Sequence, residues 1–262
     1  MTIATHLYLS PHLDDAVLSV GGLIAAQLTA GDRVVIATLC TADPATDEIF
    51  SPLAIDLHRQ WGNLVRPYEG RRHEDIAACR ALGGAEARHL GMPDAIYRGQ
   101  SDLHGYRYET LDELFEPIPF WDQAFTGPVA AAVDRLVSEL EPMTVYAPLG
   151  VGANVDHLHV RNAALRVADT RPICLYEDQP YSTGRFPVVM ADPVGVAVRA
   201  CAIPLRPVTH RIPWATKCDA IKCYESQLTP IFGPERAGLA ALELYSRTLD
   251  ASKGPMERVW YP

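Results

Sequence analysis

The chain has 262 residues, 48% of them hydrophobic and 21% charged, which allows one large α/β domain or two small ones. Its net charge of −9, without clusters of Lys and Arg, argues against nucleic acid as a ligand. No apolar run approaches the roughly 18 residues that a membrane span needs, and the first residues do not resemble a secretion signal. We therefore expect a cytoplasmic protein whose six cysteines are reduced, with no nucleic acid partner and no membrane span.

Strand-like and helix-like runs alternate along the first two thirds of the chain. The predicted strands cover residues 6–10, 34–39, 87–90, 144–147 and 173–176, and the predicted helices cover 17–30, 72–82, 129–140 and 155–167. Strands that alternate with helices of ten or more residues indicate βαβ units. We predict a Rossmann-like three-layer α/β/α fold with a mostly parallel sheet, but without the glycine fingerprint of dinucleotide-binding proteins.

The remaining segments are predicted to form an extension and two pocket walls. Residues 183–262 read as a small C-terminal β/helical extension of a core that covers about 1–182. Strand-like pieces from Val188 to Met190 and from Val196 to Ala202 suggest an appended hairpin, and helices follow at about 216–227 and 234–248. The long polar segments 41–70 and 98–127 are expected to line a pocket rather than to be passive insertions.

Ser10-Pro11-His12-Leu13-Asp14-Asp15 follows the first predicted strand directly. It lies at a strand's carboxyl end, where open α/β sheets bind their ligands. His12 and Asp15, three residues apart, can reach one metal ion, which would neutralise carboxylates that are costly to bury uncompensated. The alternative is that Asp14 or Asp15 caps the following helix.

A second polar cluster, Asn154 to His159, follows the strand at 144–147 and a glycine-rich loop. His157 is the best candidate for a third metal ligand. Three nitrogen and oxygen ligands with one open position are typical of catalytic zinc, although they also suit iron or manganese. We expect one Zn²⁺ per chain, with Fe²⁺ or Mn²⁺ as alternatives. His159 points about 200° away on a helix and is not expected to bind the ion.

Two carboxylates remain beside these candidate ligands. Asp14 is the natural general base, next to a water whose pKa a cation would lower. Asp156 is expected to orient the ring of His157 or a neighbour rather than to bind the ion itself.

The elements His12-Leu13-Asp14-Asp15 and Asp156-His157-x-x-Val160 resemble the two signatures of the LmbE-like (PIG-L) family of zinc-dependent N-deacetylases. The resemblance continues in Arg71-x-x-Glu74-x-x-x-Ala78-x-x-x-Leu82-Gly83 and in His89-Leu90-Gly91-Met92-Pro93-Asp94. It implies a single deacetylase domain over residues 1–262. It also implies that His12, Asp15 and His157 bind zinc and that Asp14 activates water. Arg71 and Asp94 would contact a sugar.

Asn154 departs from the family pattern, which usually carries a histidine at this position. An amide can donate a hydrogen bond to an oxyanion but cannot carry a proton. The expected catalytic set is therefore Asp14, Asn154 and Asp156. For Arg71 the alternative role is a structural ion pair with Glu74 or a neighbouring carboxylate.

The two polar clusters indicate a metal-dependent hydrolase, and the resemblance implies that it removes an N-acetyl or other N-acyl group from an amino sugar or small glycoconjugate. Its expected partner is a small amino-sugar conjugate, and a homo-oligomer is compatible with the sequence. Two alternatives stay open: a non-catalytic metal-containing sugar-binding protein, and an amidase of a larger N-acyl conjugate.

Overall fold

The computed structural model describes residues 3–45, 50–62, 66–99, 108–186, 189–232 and 235–262. Within these ranges the strands are β1 (Thr5–Ser10), β2 (Arg33–Cys40), β3 (Glu86–Met92), β4 (Thr144–Pro148), β5 (Ile173–Tyr176), β6 (Arg206–Arg211) and β7 (Met256–Tyr261). The helices are α1 (Asp15–Ala30), α2 (Pro52–Gln60), α3 (Pro67–Ala81), α4 (Thr126–Leu140), α5 (Val155–Arg166), α6 (Pro193–Ala200), α7 (Trp214–Ile221), α8 (Glu225–Phe232) and α9 (Glu235–Thr248). Short 3₁₀ turns lie at Ala95–Tyr97, Asp112–Phe115, Phe120–Phe125 and Tyr181–Thr183.

The strands form one mixed sheet in the order β3-β2-β1-β4-β5-β7-β6. The first five strands along the chain are parallel, whereas β7 runs antiparallel to both β5 and β6. Helices cover both faces, which confirms the predicted Rossmann-like three-layer architecture. Among the described residues, no helix is both long and apolar enough to cross a bilayer.

The side chains of β1 alternate between two hydrophobic cores. Leu7 and Leu9 pack with α4, α5 and α6, whereas Tyr8 packs on the opposite face with α1 and α7. Successive side chains of a strand point to opposite faces. Both faces of the sheet are therefore covered, and this explains why the central strands read as continuous apolar runs.

The C-terminal region differs from the predicted hairpin. The stretch 196–202 does not form a strand, because residues 193–200 form α6, and Val188 lies outside the described residues. Asp192 accepts a hydrogen bond from the Gly195 N–H and begins this helix. Val194 and Ala197 are its buried positions and Cys201, also buried, caps its end, a helical spacing that the valine-rich composition concealed. The extension's strands are instead β6 and β7, and β7 joins the core sheet beside β5. The division at residue 182 stays a prediction.

The carboxyl ends of β1 and β4 mark the topological switch point of the sheet. These two strands are neighbours, and the chain continues from β1 towards β2 but from β4 towards β5. Ligands of open α/β sheets bind in the crevice at such a point. The described parts of the two long segments wall this crevice through Leu57, Trp61, Leu111, Leu114 and Phe115, which confirms their predicted role.

Candidate active site

The turn between β1 and α1 places His12 against Asp15. The Asp15 Oδ2 atom accepts a hydrogen bond from the His12 backbone N–H at 2.8 Å and lies 3.1 Å from His12 Nδ1. Asp14 occupies the N-cap position but makes no side-chain capping bond, and Ser10 Oγ accepts from the Ala16 N–H instead. The alternative in which Asp14 or Asp15 caps the helix is therefore wrong, and both carboxylates line the cavity described below.

His157 reaches the same carboxylate from the first turn of α5. Its Nε2 lies 3.2 Å from Asp15 Oδ2, and its Nδ1 lies 2.6 Å from Asp178 Oδ1. The second oxygen of Asp178 accepts the backbone N–H groups of Gly150 and Val151, both at 2.8 Å. Asp178 follows β5. No role was predicted for this residue, which lies in the motif Tyr176-Glu177-Asp178-x-Pro180-Tyr181, although the same strand-end rule points to it.

His12, Asp15 and His157 fit a divalent cation. One ligand atom from each lies within 4.8 Å of the others. Ligands of a tetrahedral ion about 2.0–2.1 Å away lie about 3.4 Å apart, close to the 3.1 and 3.2 Å separations from Asp15 Oδ2. His157 Nε2 is buried, and although it lies 3.2 Å from Asp15 Oδ2 it makes no hydrogen bond among the described residues, as expected of a nitrogen that binds a metal ion.

The electrostatics of this cluster favour positive charge. Burial lowers the pKa of His157, but the carboxylates of Asp15 and Asp178 outweigh it and raise this pKa to about 9. Burial would raise the pKa of Asp15, yet His157 and His12 hold it well below its usual range. Without a bound cation, His157 would therefore stay protonated near neutral pH, and a cation that binds there displaces this proton.

The other ring nitrogen of His12 faces two further carboxylates. His12 Nε2 lies 3.2 Å from Asp156 Oδ2 and 3.4 Å from Asp94 Oδ2. Asp156 also accepts the Ala95 N–H at 3.0 Å and pairs with Arg98. Of the two roles expected for Asp156, the structure supports the orientation of a neighbour, His12, rather than of His157.

A second group of donors shares His12. One ligand atom each from His12, Cys40 and Asp156 also lies within 4.8 Å of the others. Both Cys40 and Asp156 are buried and neither lines the cavity described next. Cys40 is not among the ligands predicted from the sequence.

A cavity of about 140 Å³ opens beside the cation cluster, and its walls include Asp14, Arg71, Asp94 and Asn154. Burial, and then the neighbouring charge of Asp15, raise the pKa of Asp14 to about 6. The nearest Arg71 nitrogen lies 3.8 Å from Asp14 Oδ1.

Arg71 is held mainly by aromatic rings. Its guanidinium carbon lies 4.5 Å from the centre of the Trp61 ring and 5.0 Å from that of Tyr68, distances of cation–π contacts. Glu74 instead accepts hydrogen bonds from Ser226. The suggested ion pair between Arg71 and Glu74 is therefore wrong, and the neighbouring carboxylate is that of Asp14.

Asn154 caps α5 and lines the cavity at the same time. Its Oδ1 accepts the Asp156 N–H at 3.0 Å, which fixes the orientation of the amide. The amide NH₂ is then a hydrogen-bond donor. Asp94 is held similarly, because it accepts the Ile96 N–H and the Tyr68 hydroxyl at 2.5 Å.

His159 lies where the sequence predicted, away from the metal site, whereas Arg98 is a site residue that was not predicted. His159 bonds Asp122 and Thr126 and belongs to neither cation cluster, as expected. Arg98, which the sequence analysis did not single out, joins Asp156 to Asp122. It lies in a long segment without periodicity, so no sequence signal marked it.

Comparison with known proteins gives consistent relatives. Residues 7–168 match the family PIG-L, described as GlcNAc-PI de-N-acetylase. A 2'-N-acetylparomamine deacetylase of Streptomyces fradiae is 38% identical over 68% of this chain, and one of Niallia circulans is 26% identical over 67%. The chain spans 58% and 66% of the length of these two relatives.

Solved structures of teicoplanin deacetylases resemble the whole chain. A deacetylase of the teicoplanin biosynthesis pathway superposes with a TM-score of 0.81 at 27% identity, covering 98% of this chain and 97% of its own. The zinc-inhibited form of teicoplanin deacetylase Orf2 gives 0.79 at 26% identity, covering 98% and 97%. Because the family match extends over residues 7–168, more than half of the sequence, the chain belongs to the PIG-L (LmbE-like) family.

Proposed function

We propose that this protein is a metal-dependent hydrolase that removes the N-acetyl group of an amino sugar within a small conjugate. The observation that carries the proposal is the convergence of His12, Asp15 and the orphaned His157 Nε2 at a cavity that Asp14 lines. The names of the relatives support the substrate class, because they include a 2'-N-acetylparomamine deacetylase and a teicoplanin deacetylase.

His12, Asp15 and His157 would hold the cation, and zinc is our first choice, with iron or manganese as alternatives. When bound, such a cation would supply Lewis acidity and lower the pKa of water. Asp178 and Asp156 would fix the two imidazole rings from behind.

Asp14 would act as general base and then as general acid. A pKa of about 6 leaves its carboxylate mostly ionised near neutral pH, yet basic enough to accept a proton from water. The water oxygen bonds to the amide carbon, the carbon–nitrogen bond breaks, and Asp14 returns the proton to the departing amine. The products are acetate and the free amino sugar.

Asn154 would donate its amide N–H to the oxygen that gains negative charge. It lies at the N-terminus of α5, where the helix dipole also favours negative charge. Arg71 and Asp94, on the cavity wall, are the candidates for sugar contacts.

An assay of acetate release tests the proposal. The purified protein is incubated with N-acetylated aminoglycosides and N-acetylglucosamine conjugates, with and without a chelator, and Zn²⁺, Fe²⁺ and Mn²⁺ are then added back singly. We expect release that the chelator abolishes and one of these ions restores. Release that persists in the chelated, metal-free protein contradicts the proposal, and metal-dependent binding without release identifies a non-catalytic sugar-binding protein instead.

A further inference from the structure

A second cavity, of about 540 Å³, lies directly beside the smaller one at the candidate active site. The two share the side chains of Phe115, Tyr181 and Phe186. The larger volume falls within the range of pockets that bind drug-sized ligands, whereas the smaller one is below it. The function proposed above gives the larger cavity no role.

An aromatic partition separates the two cavities. The Tyr181 ring lies 5.5 Å from that of His157 and 5.7 Å from that of Phe186, centre to centre. Gly152 allows this arrangement, because a Cβ at that position would lie 3.0 Å from the Tyr181 ring. A group bound in the larger cavity is therefore separated from His157 of the candidate metal site only by the ring of Tyr181.

The described walls of the larger cavity are predominantly apolar, and some of its apolar side chains are exposed. Leu158 and Pro193 line it, and Val196 and Met190 are 46% and 39% exposed at its edge. Among the described residues that line it, the charged groups are the buried Arg161 and the exposed Asp112 and Glu116. An unsubstituted sugar has hydroxyl groups on every side, and these would lose their hydrogen bonds to water against apolar walls.

We infer that the larger cavity binds an apolar substituent of the substrate, an alkyl or aryl group attached to the amino sugar. This inference rests on the deacetylase function proposed above. Two parts of a conjugate can supply such a group: the aglycone on the glycosidic oxygen, or a long acyl chain on nitrogen in place of the acetyl group. Each methylene that leaves water is expected to tighten binding about fourfold until the cavity is filled.

Calorimetric titration of the metal-loaded protein tests this inference without any turnover. One series of ligands is the methyl, butyl and octyl glycosides of glucosamine, and the other is methyl glucosaminide with methyl-, butyl- or octylsulfonyl groups on nitrogen. In one of the two series, we expect the Kd of the butyl ligand to be at least about tenfold lower than that of the methyl ligand. This is the gain expected when about two of the three added methylenes leave water. A drop among the glycosides assigns the cavity to the aglycone, and a drop among the sulfonamides assigns it to the acyl chain.

Matched valine variants locate the effect. Val196→Asp places a charge at the edge of the cavity and should raise the butyl-to-methyl ratio of Kd values from about 0.1 or below to about 1, because an apolar chain bound there would have to desolvate the carboxylate. Val208→Asp makes the same change at a valine that is 40% exposed on β6, outside the cavity, and should leave the ratio unchanged. Equal Kd values along both series, or a chain-length gain that survives Val196→Asp, would overturn the inference. The proposed function is judged separately, by acetate release.

Discussion

Each imidazole of the candidate metal site is held between two carboxylates. His12 lies between Asp15 and Asp156, and His157 lies between Asp15 and Asp178. Asp15 is the shared member. Carboxylates behind a ligating histidine fix its tautomer and raise its basicity, so this arrangement prepares both rings for one cation.

Substitution of Asp14 should separate proton transfer from metal binding. Asp14→Asn removes the general base but leaves His12, Asp15 and His157 in place, so kcat should fall about 10²–10⁴-fold with unchanged metal content. Steady-state kinetics and elemental analysis of the same preparation measure both. Asp169→Asn, at an exposed position, is the control, and wild-type kcat in metal-loaded Asp14→Asn would refute the role.

Two substitutions of Asn154 should separate its cap from its donor. Asn154→Ser retains an oxygen that can accept the Asp156 N–H, so its thermal stability should stay close to that of the wild type while kcat falls about 10²–10³-fold. Asn154→Ala should lose the same activity and in addition about 1 kcal/mol of unfolding free energy. A serine variant with full activity would show that the amide donor is not used.

The strand-end rule explains which site residues the sequence reveals. His12, Asp15 and His157 stand directly after predicted strands or at the start of the next helix, and the structure brings them together. Asp178 follows β5 and obeys the same rule, so its role could have been predicted from the sequence. Arg98 was not, because its partners Asp122 and Asp156 are distant in sequence and only the folded loop unites them.

Among the elements, α1 is broken in its middle and braced by the C-terminal extension. Val20 has non-helical dihedral angles, φ −131° and ψ 24°. The Glu257 carboxylate on β7 accepts the N–H groups of Gly22 and Leu23, at 3.0 and 2.7 Å. Lys217 on α7 donates to the Ser19 carbonyl at 3.1 Å and to Glu257 at 2.6 Å. These side chains satisfy backbone groups that the kink leaves unpaired.

Removal of one partner of this buried pair should destabilise the fold strongly. Lys217→Met leaves the Glu257 charge buried without its partner, and the unfolding free energy should fall by about 3–5 kcal/mol in denaturant titration. Lys222→Met, in the exposed pair with Asp219, makes the same chemical change and should lower it by less than about 1 kcal/mol. Equal losses of unfolding free energy in the two variants would show that the buried pair of Lys217 and Glu257 stabilises the fold no more than an exposed pair does.

The elements themselves were predictable to different degrees. Five strands and four helices of the first 176 residues were predicted from their periodicity, β5 with its observed bounds. Helix α2 and the start of α3 were missed, because they lie in the segment 41–70, which was expected only to line a pocket. The extension was misread because its valines favour strands, whereas tertiary packing of Val194, Ala197 and Cys201 against the core selects a helix. The kink of α1 could not be foreseen, because its partners lie about 200 residues further along the chain.

At the scale of the whole molecule, the site is assembled from chain positions 12 to 178 at one edge of the sheet. A network behind it links loop and core: Asp122 accepts from Arg98, Tyr108 and His159. Burial would raise the pKa of Asp122, but hydrogen bonds from His159 and Arg98 hold it below its usual 3.8.

This network predicts a component of acid sensitivity. A carboxyl group whose folded pKa is depressed stabilises the protein above its unfolded pKa, about 3.8, and that contribution is lost as the pH falls towards the folded value. Asp122→Asn should therefore lower the unfolding free energy by about 3 kcal/mol at pH 7, with a smaller further loss between pH 5 and pH 3 than the wild type. Denaturant titrations across this range measure it, with the exposed Asp134→Asn as control. A variant with the wild-type pH slope would contradict the assignment.

X-ray absorption spectroscopy of the zinc-loaded protein, together with its metal content, tests the central claim most directly. The account predicts one zinc ion per chain with only nitrogen and oxygen neighbours at about 2.0–2.2 Å, lost in His157→Ala. A sulfur neighbour at about 2.3 Å would place the ion at His12, Cys40 and Asp156 instead and contradict the account, as would a protein that binds no zinc.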